Sequence, residues 1–116
     1  MKRIILAAII GLSVHGTAKA AGTVIDYGPN CGDYLGQYSQ FEFVKNGMKG
    51  PADAHGSFDH IRGVLSGYNA FNPDGNILGS MSAFNAYKWI ASWCRDNSST
   101  VSLTFAVKKL IEKQKN

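Results

Sequence analysis

Little in this chain points to elaborate chemistry, and the scarcities are specific. Among 116 residues there are two cysteines, three histidines and three prolines. Cys31 and Cys94 lie too far apart for zinc-finger spacing, and there is no C-x-x-C redox pair. Neither H-E-x-x-H nor G-x-S-x-G occurs, so the common metalloprotease and serine-hydrolase signatures have no carrier. Charged residues make up only 17%, and no basic patch interleaved with aromatics offers a nucleic-acid surface. No apolar run reaches the roughly 20 residues that a membrane-spanning helix needs. There is no internal repeat and no low-complexity tract.

What is present begins at the N-terminus. Lys2 and Arg3 precede the apolar stretch Ile4 to Leu12, and Ala18-Lys19-Ala20 supplies a small-x-small cleavage pattern. This is the layout of a secretory signal peptide, so residues 1–20 are expected to be removed and 21–116 to form one exported domain. Loss of Lys2, Arg3 and Lys19 reduces twelve basic residues to nine, against eight acidic ones. The exported chain is thus close to neutral, with its remaining cations scattered except for Lys108, Lys109, Lys113 and Lys115. A cationic last helical turn is favoured by the helix dipole and implies neither membrane nor nucleic acid as partner. In an oxidising compartment the two cysteines favour one structural bridge, over two free thiols or a metal site. It would close a loop of about 64 residues, worth roughly 4 kcal/mol as an upper estimate.

Hydrophobic spacing predicts an all-α domain, a small bundle of about four short helices tied by that bridge. Residues 21–30 read as an extended lead-in. Behind Asn30 as N-cap, Cys31, Tyr34, Leu35 and Tyr38 fall on one helical face. Residues 46–56, with Gly47, Gly50, Pro51 and Gly56, read as a loop. Ser57 is expected to cap a second helix carrying Phe58, Ile61, Val64, Leu65 and Tyr68. Asn72-Pro73-Asp74-Gly75-Asn76 is a turn by composition. Ser82 opens a third helix with Phe84, Tyr87, Ile90, Trp93 and Cys94 inward and Trp89 near the boundary. Asp96 to Ser99 breaks it. Ser99 or Thr100 is expected to restart the chain into Leu103, Ala106, Val107, Leu110 and Ile111, although the β-formers Val101, Thr104, Phe105 and Val107 leave a strand open there.

The densest cluster of reactive groups is Asp53 to His60. A metal could take His55, Asp59 and His60, but the spacing fixes no common face, and Asp59 is equally suited to a helix N-terminus. Ser66, in Leu65-Ser66-Gly67, lacks a nucleophile elbow, and its small neighbours suggest a close approach of two helices. The Asn72–Asn76 loop lacks the distal Glu of a calcium loop. With no nucleophile–base motif and no metal spacing, the expectation is a non-enzyme without cofactors or metals. The aromatics are abundant for so small a domain. Either they fill a core poor in Leu and Ile, or some form an exposed interaction patch.

Several segments resemble a known family. They are Asn30-Cys31-Gly32-Asp33-Tyr34-Leu35, Gly63-Val64-Leu65-Ser66-Gly67-Tyr68-Asn69, Trp89-Ile90-Ala91-Ser92-Trp93-Cys94-Arg95-Asp96-Asn97 and Ala106-Val107-Lys108-Lys109-Leu110-Ile111. Together they resemble the Rap/Tai family of periplasmic immunity proteins, which neutralise type VI secretion amidase toxins. The layout is also similar, more weakly, to acid-stress chaperones of the HdeA/HdeB type. The chain departs from both in placing Ser98-Ser99 where a proline often follows the second cysteine, and Glu42 to Gly56 carries no family signature. The resemblance implies a periplasmic location and a protein partner: a secreted toxin on the first reading, unfolded clients on the second. A homodimer is a further option. Loops on a rigid scaffold are the natural recognition surface. The partner-binding set is therefore expected on Lys45–His60 and Tyr68–Asn76 and their edges, with Tyr68 and Phe71 as aromatic anchors, Lys49 and Arg62 as charges, and Asp74 as polar rim.

Overall fold

The computed structural model describes residues 28–45, 47–73 and 75–116. The expected signal peptide and its cleavage site lie outside the described residues. Four α-helices are present among the described residues: α1 (Cys31–Tyr38), α2 (Gly56–Ala70), α3 (Ala83–Arg95) and α4 (Leu103–Lys115). Between α1 and α2 come two short strands, β1 (Glu42–Val44) and β2 (Gly47–Lys49), and a single 3-10 turn, Ala52–Ala54. The domain is therefore mainly helical but not purely so.

Asn30 caps α1 as its side-chain chemistry requires. Its Oδ1 accepts from the Asp33 N–H at 2.8 Å, and Asp33 Oδ2 accepts from the Asn30 N–H at 3.0 Å, a reciprocal capping box. The remaining N-terminal donors find carbonyls far along the chain. Cys31 N–H donates to Val101 O at 2.8 Å and Gly32 N–H to Ser99 O at 2.9 Å. Leu103 N–H returns a bond to Pro29 O at 2.9 Å. This short antiparallel stitch fastens the start of α1 to the start of α4. The disulfide stands beside it. Cys31 is bonded to Cys94, with Cα atoms 5.3 Å apart and both residues buried. The first residue of α1 is thus tied to the last turn of α3.

The core runs between all four helices. Tyr34, Phe58, Ile61, Ile90, Leu103, Val107 and Leu110 are fully buried. Phe58 is the hub of an aromatic cluster, with ring centroids 5.3 Å from Tyr34, 5.0 Å from Phe41 and 5.0 Å from Tyr87 in edge-on geometry. The Tyr34 hydroxyl, out of reach of water, donates to the Tyr87 carbonyl at 2.6 Å. Burial pushes its ionisation far above the ordinary tyrosine range. Most of the aromatics are therefore core or rest against it. Partly exposed rings are roofed by cations: Lys88 over Phe43, Arg95 over Tyr38, Lys109 over Phe105 and Lys115 over Tyr68, at 5.0–5.9 Å.

Five local expectations need correction. The segment read as a loop from residue 46 holds β2 and the 3-10 turn. β2 pairs with β1 so that Phe43 lies opposite Met48, and both rest against the core. Helix α2 starts at Gly56 with His55 in the cap position and no side-chain cap, so Ser57 does not cap it. Ser57 is buried instead, with its N–H donating to Gln37 Oε1 at 2.8 Å. The last helix is capped by Ser102 rather than Ser99 or Thr100, because residues 99–101 are drawn into the stitch with α1. The strand option for 103–107 is not realised, since burial of Leu103, Ala106, Val107 and Leu110 needs helical spacing. Finally, Ser66 and Gly67 are exposed and a Cβ on Gly67 would meet open space, so no helix approaches there.

Candidate functional site

Helices α2 and α4 run parallel. His60 Nε2 meets Thr104 Oγ1 at 2.7 Å near their starts, and Lys115 Nζ covers Tyr68 near their ends. Both negative dipole ends therefore point the same way, and Lys113 and Lys115 in the last turn of α4 offset them. The connection from α2 to α3 crosses this end of the molecule.

That connection is built from two successive turns of the same form. Asn72 opens the first, with Gly75 N–H donating to Asn72 O at 3.1 Å and Asn72 Nδ2 donating to Gly75 O at 2.9 Å. Asn76 opens the second, with Gly79 N–H donating to Asn76 O at 3.2 Å and Asn76 Nδ2 donating to Gly79 O at 3.4 Å. Gly75 and Gly79 hold φ of 89° and 61°, left-handed values that a side chain would strain. Asn69 clamps the pair to α2, since its Oδ1 accepts from the Ile77 N–H at 2.8 Å and its Nδ2 donates to Asn76 Oδ1 at 3.2 Å. Gln114 Nε2 fixes the far side by donating to Leu78 O at 3.1 Å. The loop is held by side-chain amides at several points.

At its head stands Phe71, 89% exposed, with no aromatic or cationic partner on its ring among the described residues. Phe71, Tyr68, Gly67, Asn72 and Pro73 line a shallow hollow of about 400 Å³. A second hollow, of about 540 Å³, adjoins it across Tyr68 and Pro73 and reaches Gln114 and Lys115. A hydrogen-bonded loop that leaves a large aromatic in water forgoes burial worth about 1.5–3 kcal/mol.

No protein-family model matches this chain, and no curated protein or solved structure matches it either. The site must be read from its own geometry.

Of the residues expected to contact a partner, the fold brings Tyr68 and Phe71 together. Asp74 lies outside the described residues. Arg62 sits nine residues before Phe71 on α2, roughly 13 Å of helix rise away. It pairs with Asp59 at 3.2 Å and lies beside the Tyr87 hydroxyl, whose ionisation burial raises. Lys49 belongs to the hairpin, opposite Glu42, beyond the other end of α2. Lys49 and Arg62 therefore do not share a surface with Phe71. Sequence reasoning placed Asn69 and Asn76 within the Tyr68–Asn76 loop and Lys115 in a cationic last turn without the contacts they make here, and missed Gln114. The spacing Asn72-x-x-Gly75 and Asn76-x-x-Gly79 was the signal that could have found the paired turns.

The His55, Asp59 and His60 cluster does not converge. The His55 ring packs edge-on against Phe41 at 4.9 Å, Asp59 pairs with Arg62, and His60 bonds Thr104. Partial burial lowers the His60 pKa below its ordinary value. Among the described residues no three His, Cys, Asp or Glu side chains group to hold a metal.

Proposed function

We propose that this chain is an exported protein-binding module of the immunity type, which recognises one secreted protein through the Tyr68–Phe71 surface. The observation that carries the reading is Phe71 held in water by a loop that asparagine side chains fix in place. The amide contacts restrain the loop backbone that carries Phe71, so less backbone ordering entropy is lost on association, and large aromatics are the residue type in which binding hot spots are enriched. The resemblance to the Rap/Tai family makes a toxin, and within that class a cell-wall amidase, the expected partner. The Cys31–Cys94 disulfide is compatible with work in the periplasm after removal of residues 1–20.

The fixed-partner reading is favoured over an acid-triggered chaperone by where the acids stand. Asp33, Glu42, Asp53, Asp59, Asp96 and Glu112 are all exposed. Protonating exposed carboxylates loosens a fold far less than protonating buried, paired ones. The test is affinity capture of the exported chain from its native envelope, run beside an aggregation assay at pH 2–3. One dominant secreted hydrolase, enriched on the wild-type chain and lost with Phe71→Ala, is the expected result. A broad set of clients, with suppression of aggregation only in acid, would assign the chaperone role instead.

A further inference from the structure

Cations that lie far apart in the sequence meet on one face of the fold, around the hairpin. Phe84, Lys88, Ala91 and Arg95 recur at helical spacing along one side of α3. The side chains beside them form an unbroken row. Lys88 Nζ stands 5.3 Å from the centroid of the Phe43 ring, Phe43 lies 5.1 Å from Tyr38, and the Arg95 guanidinium stands 5.5 Å from the Tyr38 ring. Lys45 follows Val44 at the hairpin tip and is exposed. The ion pairs among the described residues are Arg62–Asp59 and Lys109–Glu112, so no described carboxylate pairs with Lys45, Lys88 or Arg95. Two acids border the row. Glu42 stands opposite Lys49 across the hairpin, and Asp96 follows Arg95 at the end of α3 without pairing with it. The face therefore keeps a surplus of positive charge, although residues 21–116 hold nine basic side chains against eight acidic ones.

The same row offers main-chain hydrogen bonds. The two-residue loop makes Val44 and Gly47 the hydrogen-bonded pair beside it, so alternation turns the Phe43 N–H and C=O outward from β1. Neither has a hydrogen-bond partner among the described residues, and no third described strand covers this edge. The flanking Glu42 and Val44 are exposed. An open edge is a template for another strand, and strand addition is a recurrent mode of peptide recognition. Lys88 and Arg95 are seven residues apart on α3, about 10 Å of helix rise. An extended chain covers that span in three to four residues and returns to the same face at the fourth. We propose that β1 accepts an extended acidic segment of a protein partner, paired to Phe43 through the main chain, with carboxylates four residues apart at Lys88 and Arg95. A polyphosphate would suit the cations but has no donor for the Phe43 carbonyl. The row shares no residue with the hollows at Phe71, and the proposal stands without that site.

The test is an NMR titration of the ¹⁵N-labelled chain with three probes: the peptide acetyl-Thr-Glu-Val-Thr-Val-Glu-Thr-amide, its analogue with Gln in place of both Glu residues, and tripolyphosphate. The acidic peptide should give saturable shifts at the Phe43 and Val44 amides and at Arg95 Nε. It should bind about tenfold more tightly than the Gln analogue, the worth of two exposed ion pairs. Lys88→Gln/Arg95→Gln changes two exposed side chains, should keep the wild-type melting temperature, and should remove that preference. Raising NaCl from about 20 mM to about 300 mM checks the wild-type chain without a substitution and should reduce the preference as well. Absence of saturable shifts at Phe43, equal binding of the Gln analogue, a preference that survives the double variant or the added salt, or tighter binding of tripolyphosphate at this row overturns the proposal.

Discussion

Reduction of Cys31–Cys94 is the perturbation with the largest expected effect on this fold. The bridge spans 63 residues of sequence and joins α1 to α3 inside the core. Chain-entropy bookkeeping for a loop of that length gives about 4 kcal/mol of stabilisation through the unfolded state. Total stability for a domain of this size is about 5–10 kcal/mol, so roughly half is at stake. The native state should nevertheless persist in part, because the stitch from Cys31, Gly32 and Pro29 to Val101, Ser99 and Leu103 holds the same junction with three backbone hydrogen bonds. Urea unfolding monitored by tryptophan fluorescence, with and without a reductant, measures the difference, and Cys31→Ala/Cys94→Ala checks it without added thiol. We expect a loss of about 3–4 kcal/mol with a cooperative transition retained. A loss below about 1 kcal/mol would refute the reasoning, since it would mean that the bridge does not constrain the unfolded chain.

Two further outcomes follow from the core and the α2–α4 contact. Tyr34→Phe deletes the buried hydrogen bond to the Tyr87 carbonyl and should cost about 1 kcal/mol in urea unfolding, with the helical circular dichroism spectrum unchanged. His60 has its pKa lowered by burial, so the folded state binds fewer protons than the unfolded one in mildly acidic solution. Stability should accordingly be full above about pH 6.5 and fall as the pH drops through the folded pKa. Thermal melts between neutral and mildly acidic pH should show that slope, and His60→Gln should flatten it.

The helices were legible because each carries enough apolar residues to fix a face. Tyr34 with Cys31, Phe58 with Ile61 and Leu65, and Ala106 with Leu110 all lie buried at helical spacing. Caps were legible only where a side chain makes the cap by itself, as Asn30 and Ser82 do. Ser57 and Ser99 have the right chemistry, but long-range partners hold their backbones, Gln37 at the Ser57 N–H and Gly32 at the Ser99 carbonyl, which no local pattern reveals. The hairpin escaped because three residues per strand are too few to show a period, although Asn46-Gly47 is a recognised hairpin dipeptide. At the candidate site, composition singled out Tyr68 and Phe71, and the fold sets both against one hollow. Lys49 on the hairpin and Arg62 well before the end of α2 stand apart from that hollow, because residue type says nothing about where the fold carries each position. Phe71 as the exposed ring, rather than Phe41 or Phe43, is a consequence of tertiary packing alone.

The central claim, that Phe71 anchors one protein partner, is tested most directly by calorimetric titration of the captured partner with the wild-type chain and with Phe71→Ala. Phe71 is 89% exposed, so the substitution should leave the melting temperature unchanged and isolate the effect on binding. The account predicts an affinity loss of at least about 2 kcal/mol, roughly thirtyfold, for a hot-spot anchor. An affinity unchanged within about 0.5 kcal/mol would place the partner elsewhere on the molecule and contradict it.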